Sequence, residues 1–341
     1  MPRVFRLLFF SDTHLGFDYP ARPRVARRRR GDDFFHAYRS ALEPAFEGKV
    51  DAVLHGGDFL FRSKVPRWLV RQAIEPILEV ADGGTPVFMV PGNHERARFP
   101  FPLFFSHPKV YLFDRPRSYE LRCGEVKISL AGFPFSRRIA RSFASLLCDT
   151  EWKKAKSDIR ILCMHQTVEG ARVHGYTFRR GEDVIDGRQI PKTFAAVLTG
   201  HIHRAQMLTR DLSGNQLAAP VIYPGSTERT SFVERFERKG YALLGFAAGR
   251  GGRGRLVERA FVPLPTRPMV VLELDADGRS AAELTKLCDA RLRELHPDSV
   301  VSLRLRGSAG DGPGISLPAL RSLAPTMTIE LSRNPRNALN N

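Results

Sequence analysis

Five short apolar runs in the first 205 residues each end on side chains that can bind a metal or move a proton. Val4–Phe10 runs into Ser11-Asp12-Thr13-His14, Ala52–Leu54 into His55-Gly56-Gly57-Asp58, and Val87–Val90 into Pro91-Gly92-Asn93-His94. Ile159–Met164 runs into His165, and Ala195–Leu198 into Thr199-Gly200-His201-Ile202-His203. Each reads as a buried strand followed by a loop. Between the first two strands, Asp33–Phe46 has helical spacing through Phe34, Tyr38, Leu42 and Phe46, and Pro66–Val80 repeats the pattern before the third. Strand–helix–strand alternation predicts an α/β sheet with helical cover. In such sheets ligands bind beyond the carboxyl ends of the strands, and all five polar clusters fall there.

After His203 the spacing shortens to β-type runs: Ala205–Asp211, Gln216–Tyr223, Gly240–Phe246 and Arg255–Val262. They are expected to complete a two-sheet core. Leu264-Pro265-Thr266-Arg267-Pro268 reads as a linker, dividing a catalytic domain (1–265) from a smaller unit (266–341). Met269–Leu274, a helix near Ala281–Leu295, and Val300–Leu305 give that unit an α/β character. From Gly307 the Gly, Pro and Asn content predicts a partly irregular chain.

A two-metal hydrolytic site needs hard oxygen and imidazole donors converging from different strands, with one carboxylate between the ions. The chain supplies such a set. Asp12 and His14 alternate out of the first strand and would share a face. Asp58 follows a double glycine that permits a tight turn. Asn93 offers an amide oxygen, and His165, His201 and His203 complete the donors, His201 and His203 sharing a face if locally extended. Donors of this type suit Mn, Fe or Zn. His94, next to a donor, can protonate a leaving oxygen or stabilise charge on phosphate. A lone Asp-x-His arises by chance; five such fragments in order at five strand ends do not. His36, His55, His107, His174 and His296 read as structural, with His174 set apart by its polar, Gly-containing loop soon after His165.

Fifty-three Lys and Arg face thirty-six Asp and Glu, a formal +17 that favours a polyanionic partner. Four scattered cysteines have no metal-ligand or redox spacing and lie in or near apolar runs, which predicts buried, reduced thiols and a cytoplasmic location. The N-terminus lacks the pattern of a signal peptide, and no apolar stretch reaches the roughly 18 residues of a membrane span, so no membrane association is expected.

Asp12-Thr13-His14, Gly56-Gly57-Asp58, Gly92-Asn93-His94-Glu95, His165 and Gly200-His201-Ile202-His203 resemble the five signatures of the calcineurin-like metallophosphoesterase superfamily. The resemblance implies a two-layer β-sandwich flanked by helices. It implies one metal on Asp12, His14, Asp58 and His203, a second on Asp58, Asn93, His165 and His201, and His94 as catalytic histidine. Ser11-Asp12-Thr13-His14-Leu15-Gly16, Gln206 after His203, and Tyr223-Pro224-Gly225-Ser226-Thr227-Glu228-Arg229 with Lys239-Gly240-Tyr241 are similar to SbcD-like DNA repair exonucleases. That likeness implies a DNA nuclease of double-strand-break repair using two divalent ions, Mn(II). It further implies a homodimer, an SbcC-type coiled-coil ATPase partner and a capping domain over 266–341. DNA contacts are then expected from Arg22, Arg24, Arg27, Arg28, Arg29 and Arg30 on the loop leaving the first strand, and from Ser226 and Arg229. The chain departs from some of these nucleases in carrying Phe61 where they place a second histidine. A small-molecule phosphodiesterase or phosphatase is the alternative on the same fold.

Overall fold

The computed structural model describes residues 3–19, 29–249, 254–307 and 315–334. Strands run in chain order as β1 (Phe5–Phe10), β2 (Ala52–His55), β3 (Val87–Met89), β4 (Val110–Leu112), β5 (Arg117–Cys123), β6 (Val126–Gly132) and β7 (Ile159–Met164). Four two-residue strands follow: β8 (Thr167–Val168), β9 (Arg172–Val173), β10 (Tyr176–Thr177) and β11 (Val184–Ile185). Then come β12 (Ala196–Thr199), β13 (Gln206–Arg210), β14 (Gln216–Tyr223), β15 (Gly240–Ala247) and β16 (Arg255–Pro263). Two six-stranded sheets result, in the orders β16-β15-β1-β2-β3-β4 and β13-β14-β12-β7-β6-β5. In the first, β1 to β4 are parallel and β15 and β16 join antiparallel. In the second, β6, β7, β12 and β14 are parallel and β5 and β13 are antiparallel edges.

The period-2 rule explains why the central strands are apolar throughout. Phe5, Leu7 and Phe9 pack with Ile159, Ile161, Cys163 and Leu198 between the sheets. Leu8 and Phe10 turn the other way, onto Tyr38, Ile74 and Ile77 of the helices Arg30–Ala41 and Arg67–Asp82. Leu162, Met164 and Val197 pack on Phe143 and Leu147 of the helix Ile139–Asp149. Full burial of each such side chain contributes roughly 1.5–3 kcal/mol. The result is a two-layer sandwich of mixed sheets with helices on its outer faces. The helix expected over Asp33–Phe46 stops at Ala41, and a short turn Glu43–Phe46 follows. Pro44 accounts for the break, since it lacks an N–H and crowds the preceding turn.

By packing, the described chain forms two compact units. Arg229–Glu237 and residues 29–32 group with the segment from Thr266 rather than with the sandwich. The second unit contains β17 (Met269–Asp275), β18 (Val300–Arg306) and β19 (Thr328–Asn334), all parallel and in that order. Helices Ala281–Arg293 and Leu317–Leu323 connect them, the first opened by a Ser280/Glu283 capping box. Leu274, Leu284, Cys288, Leu303, Leu320 and Ile329 form its core. Beyond Gly307, residues 315–334 supply a helix and the third strand, which the sequence reading did not anticipate, because Leu320, Met327 and Ile329 find an apolar face that composition does not reveal. Cys148 corrects the expectation of buried thiols. It is exposed, while Cys123, Cys163 and Cys288 are buried, and all four are free thiols. No helix among the described residues is long and apolar enough to cross a membrane.

Candidate metal centre

The carboxyl ends of β1, β2, β3, β7 and β12 converge within the sandwich unit, and the loops leaving them carry all seven expected donors. Asp12, His14 and His203 form one group and Asp58, His165 and His201 another, and a third, His14, Asp58 and His94, overlaps both. Asn93 joins the second, its Oδ1 lying 3.1 Å from His165 Nε2 and 2.9 Å from His201 Nδ1. Asp58 stands between the groups, with Oδ2 3.4 Å from His165 Nε2 and 4.0 Å from His14 Nε2. Asp12 Oδ1 lies 3.7 Å from His203 Nε2. Asp12, His14, Asp58 and His165 are buried, while Asn93, His94, His201 and His203 are partly exposed at the mouth.

The backbone reaches this arrangement differently from the sequence reading. β1 ends at Phe10, so Asp12 and His14 do not alternate on extended chain; both are left-handed, at φ 53° and 44°. Asp58 (φ 53°) and His201 (φ 82°) are left-handed too. Side chains rarely tolerate that region, and clusters of such residues mark functional sites. Parallel pairing sustains it: Asp12 N donates to Gly57 O at 2.9 Å and His14 N to Asp58 O at 3.0 Å. Of the double glycine, Gly57 supplies the turn, at φ 106°, and a Cβ there would strike the His165 ring. Gly92 has an ordinary φ but packs against Asp58 so closely that a Cβ would overlap its carboxylate.

Two of the rings, His165 and His94, are aimed from behind. His165 Nδ1 donates to the Gly56 carbonyl at 2.7 Å, leaving Nε2 for the cluster. His94 Nδ1 donates to the Phe61 carbonyl at 2.6 Å, and its Nε2 faces Asp58 Oδ2 at 3.8 Å. A backbone carbonyl behind a ligating imidazole is the usual way a tautomer is fixed. Ser11 Oγ donates to Asp12, which also accepts the His201 N–H at 3.2 Å. His94 N donates to Asp58 Oδ1 at 2.9 Å.

The protein's own charges are strongly interlocked. Burial pushes the Asp12 carboxyl above its ordinary value, against the pull of His165 and His203. Burial acts upward on Asp58 as well, but His165, His14 and His94 outweigh it and hold that carboxyl far below the usual range. His165 is pushed up to about 9: burial disfavours its cation, and Asp58 and Asp12 overcome that. Burial, reinforced by His203, drives His14 well down; burial and His165 bring His201 to about 3.

The donor set fits divalent cations. The His14 and His203 Nε2 atoms point at each other 3.0 Å apart, and His14 Nδ1 is buried without a hydrogen-bond partner. Imidazole nitrogens, carboxylates and one amide oxygen suit Mn, Fe or Zn, and no thiolate is near.

The model of the calcineurin-like phosphoesterase family matches residues 5–205. The chain belongs to that family. The phosphoesterase is 23% identical to the DNA double-strand break repair protein Mre11 of Thermoplasma acidophilum, over 88% of this chain and 76% of that protein. It is 28% identical to the Mre11 of Haloferax volcanii, over 94% of this chain and 64% of that protein. The chain thus spans just under two thirds of the Haloferax relative. Among solved structures it is similar to a dimetal phosphatase from Danio rerio, at 14% identity and TM-score 0.44, over 77% of this chain and 99% of that one.

Of the residues expected to touch DNA, Arg29, Arg30, Ser226 and Arg229 are described. Arg22, Arg24, Arg27 and Arg28 lie outside the described residues. Arg30 is buried and donates to the Arg229 carbonyl at 2.7 Å. Ser226 has no exposed surface, and its hydroxyl donates to the Glu228 carbonyl. Arg229 spends its guanidinium on the carbonyls of Glu237 and Arg267. Of the basic run, Arg29 is the described member with partial exposure.

Other residues of the phosphoesterase were not singled out by spacing. Glu95 is buried and bridges two site loops, accepting from Leu60 N at 2.6 Å and Gly92 N at 2.8 Å; burial, then Asp58, pushes it up to about 8. Lys239 is buried and donates to the His203 carbonyl at 2.9 Å. Their signal in the sequence is only their place within the fragments that carry the family resemblance. His174 sits exposed between β9 and β10, with no place in the donor groups.

Proposed function

We propose that this phosphoesterase is a Mn(II)-dependent DNA nuclease of double-strand-break repair, acting as a homodimer in the cytoplasm with an SbcC-type coiled-coil ATPase. In this reading residues 266–341 are a capping domain. The observation that carries the chemistry is the convergence of seven donors about the buried Asp58 carboxylate, with His94 Nε2 3.8 Å away at the open side. Asp12, His14, Asp58 and His203 would hold one ion, and Asp58, Asn93, His165 and His201 the other. Two bound ions supply Lewis-acid polarisation of a phosphodiester and activation of water near neutral pH. His94 does the proton work: with Nδ1 fixed on the Phe61 carbonyl, a protonated Nε2 can give its hydrogen to the leaving oxygen. Ser11 and the His201 N–H orient Asp12, and the His94 N–H orients Asp58. The substrate class is favoured by the +17 charge and by the relatives' likeness over most of the chain.

The test is digestion of linear DNA with Mn(II) by the wild type, His94→Ser and Asp58→Ala. Cleavage by the wild type and its loss in both variants is the expected result. Intact DNA alongside rapid hydrolysis of small phosphoesters overturns the nuclease reading in favour of a small-molecule phosphodiesterase.

A further inference from the structure

His55 has the composition of a structural histidine, yet its ring is wired to the backbone on both sides of Asp58. It is fully buried and held edge-on by Phe10 and Phe59, at 5.0 and 5.2 Å between ring centroids. Gly57 N lies 3.2 Å from Nδ1. A backbone amide can only donate, so Nδ1 accepts and the hydrogen of the neutral ring sits on Nε2. Nε2–H then donates to Thr13 Oγ1 at 3.1 Å, and the Thr13 hydroxyl donates to the Phe59 carbonyl at 3.0 Å. Every hydrogen in this chain has one allowed direction. Its two ends are Gly57 and Phe59, the neighbours of Asp58, whose own backbone is left-handed at φ 53°. Thr13 lies between Asp12 and His14, the two residues whose N–H groups pair with Gly57 and Asp58. The same relay therefore ties the loop after β1 to the loop after β2.

We propose that His55 and Thr13 are positioning residues: their directed hydrogen-bond chain clamps the Gly57 N–H and the Phe59 carbonyl, one residue to either side of Asp58, keeps its carboxylate aimed between the two donor groups, and so sets the affinity of the centre for a divalent cation. This rests on the metal reading above. Neither residue touches the reacting atoms. Their effect passes through the backbone of Asp58, as outer partners of ligands act elsewhere.

The experiment pairs Mn(II) titration calorimetry on wild type, Thr13→Ser and Thr13→Val with ¹⁵N NMR of the histidine rings in cation-free wild type. The His55 signals are assigned by their loss in His55→Asn. Thr13→Val should bind Mn(II) about 10–100-fold more weakly, and Thr13→Ser, which keeps the hydroxyl, within about threefold of wild type. The His55 nitrogens should report a protonated Nε2 and an unprotonated Nδ1. Equal affinity of Thr13→Val and wild type, or an equal loss in Thr13→Ser, overturns the clamp. So does an Nδ1–H tautomer, a readout that decides the matter even if Thr13→Val does not fold. A wild type that binds no Mn(II) sinks the metal reading and the clamp's effect on affinity together. A wild type that binds it while Thr13→Val binds equally sinks the clamp alone.

Discussion

His94 stands a third exposed at the mouth of a buried cluster, its ring steered by one hydrogen bond to the Phe61 carbonyl. A proton-transfer role and a ligand role predict different losses. His94→Ser should lower kcat by about 10²–10⁴-fold while the Mn(II) stoichiometry stays at that of the wild type, read by metal analysis after gel filtration. A fall in bound metal would make His94 a ligand instead. Hydrogen bonds from Arg188 hold Asp186 down to about 2. Its folded value lies below the ordinary 3.8, so its stabilisation is complete above about pH 4 and is lost as pH falls through about 2. Asp186→Asn should cost less than about 1 kcal/mol at pH 7, since Arg188 is solvent-screened. Urea melts of variant and wild type should converge near pH 2; a gap unchanged there would remove the charge from the explanation. At this scale sequence reading separates poorly what faces a site from what supports it. His55 and His165 are both histidines at the ends of buried runs, yet one ring turns to Thr13 and the other to Asp58. Ser226 and Arg229 sit in a motif that suggests phosphate contact, and their polar groups are spent on nearby carbonyls.

The elements that matter most are the loops leaving β1 and β2. Their pairing, Asp12 N to Gly57 O and His14 N to Asp58 O, holds three donors on left-handed backbone. Gly57 makes this possible, and its replacement is expected to be costly in two ways. Gly57→Ala meets an unfavourable φ and the His165 ring together, and should lose about 1–3 kcal/mol along with Mn(II) binding. Gly48→Ala is the control: its φ is +67° but its surroundings are open, so it should lose about 1–2 kcal/mol and keep Mn(II) binding. Thermal melts and metal titration separate the two, and a Gly57→Ala protein that binds Mn(II) normally would show that the loop can shift at little cost. Element boundaries were legible where apolar spacing and capping agree, as for Ala281–Arg293 behind Ser280. They failed where tertiary contacts rescue a poor composition, as for Thr328–Asn334 beside β18.

At the scale of the whole molecule, the net +17 is a property of the surface as a sum, not of the few arginines in one loop. If it serves DNA, binding should be strongly salt-dependent. Fluorescence anisotropy on a duplex should show affinity falling by about 10³-fold or more between 50 and 200 mM salt, the slope expected for six or more phosphate contacts. A nearly flat salt profile would argue against a nucleic-acid surface. The sequence by itself determined which residues are candidate donors, their order at five strand ends, and the α/β class. Those follow from hydrophobic periodicity and residue chemistry, which are local. Only the tertiary structure decided that two sheets stack so that β1, β2 and β3 of one present their ends beside β7 and β12 of the other. The left-handed turns, the ring tautomers and the burial of Arg30 and Ser226 were decided there too. Each depends on a partner distant in the chain: a backbone carbonyl, a glycine's missing side chain, or a carbonyl-rich pocket. No spacing within a single segment encodes which partner will arrive.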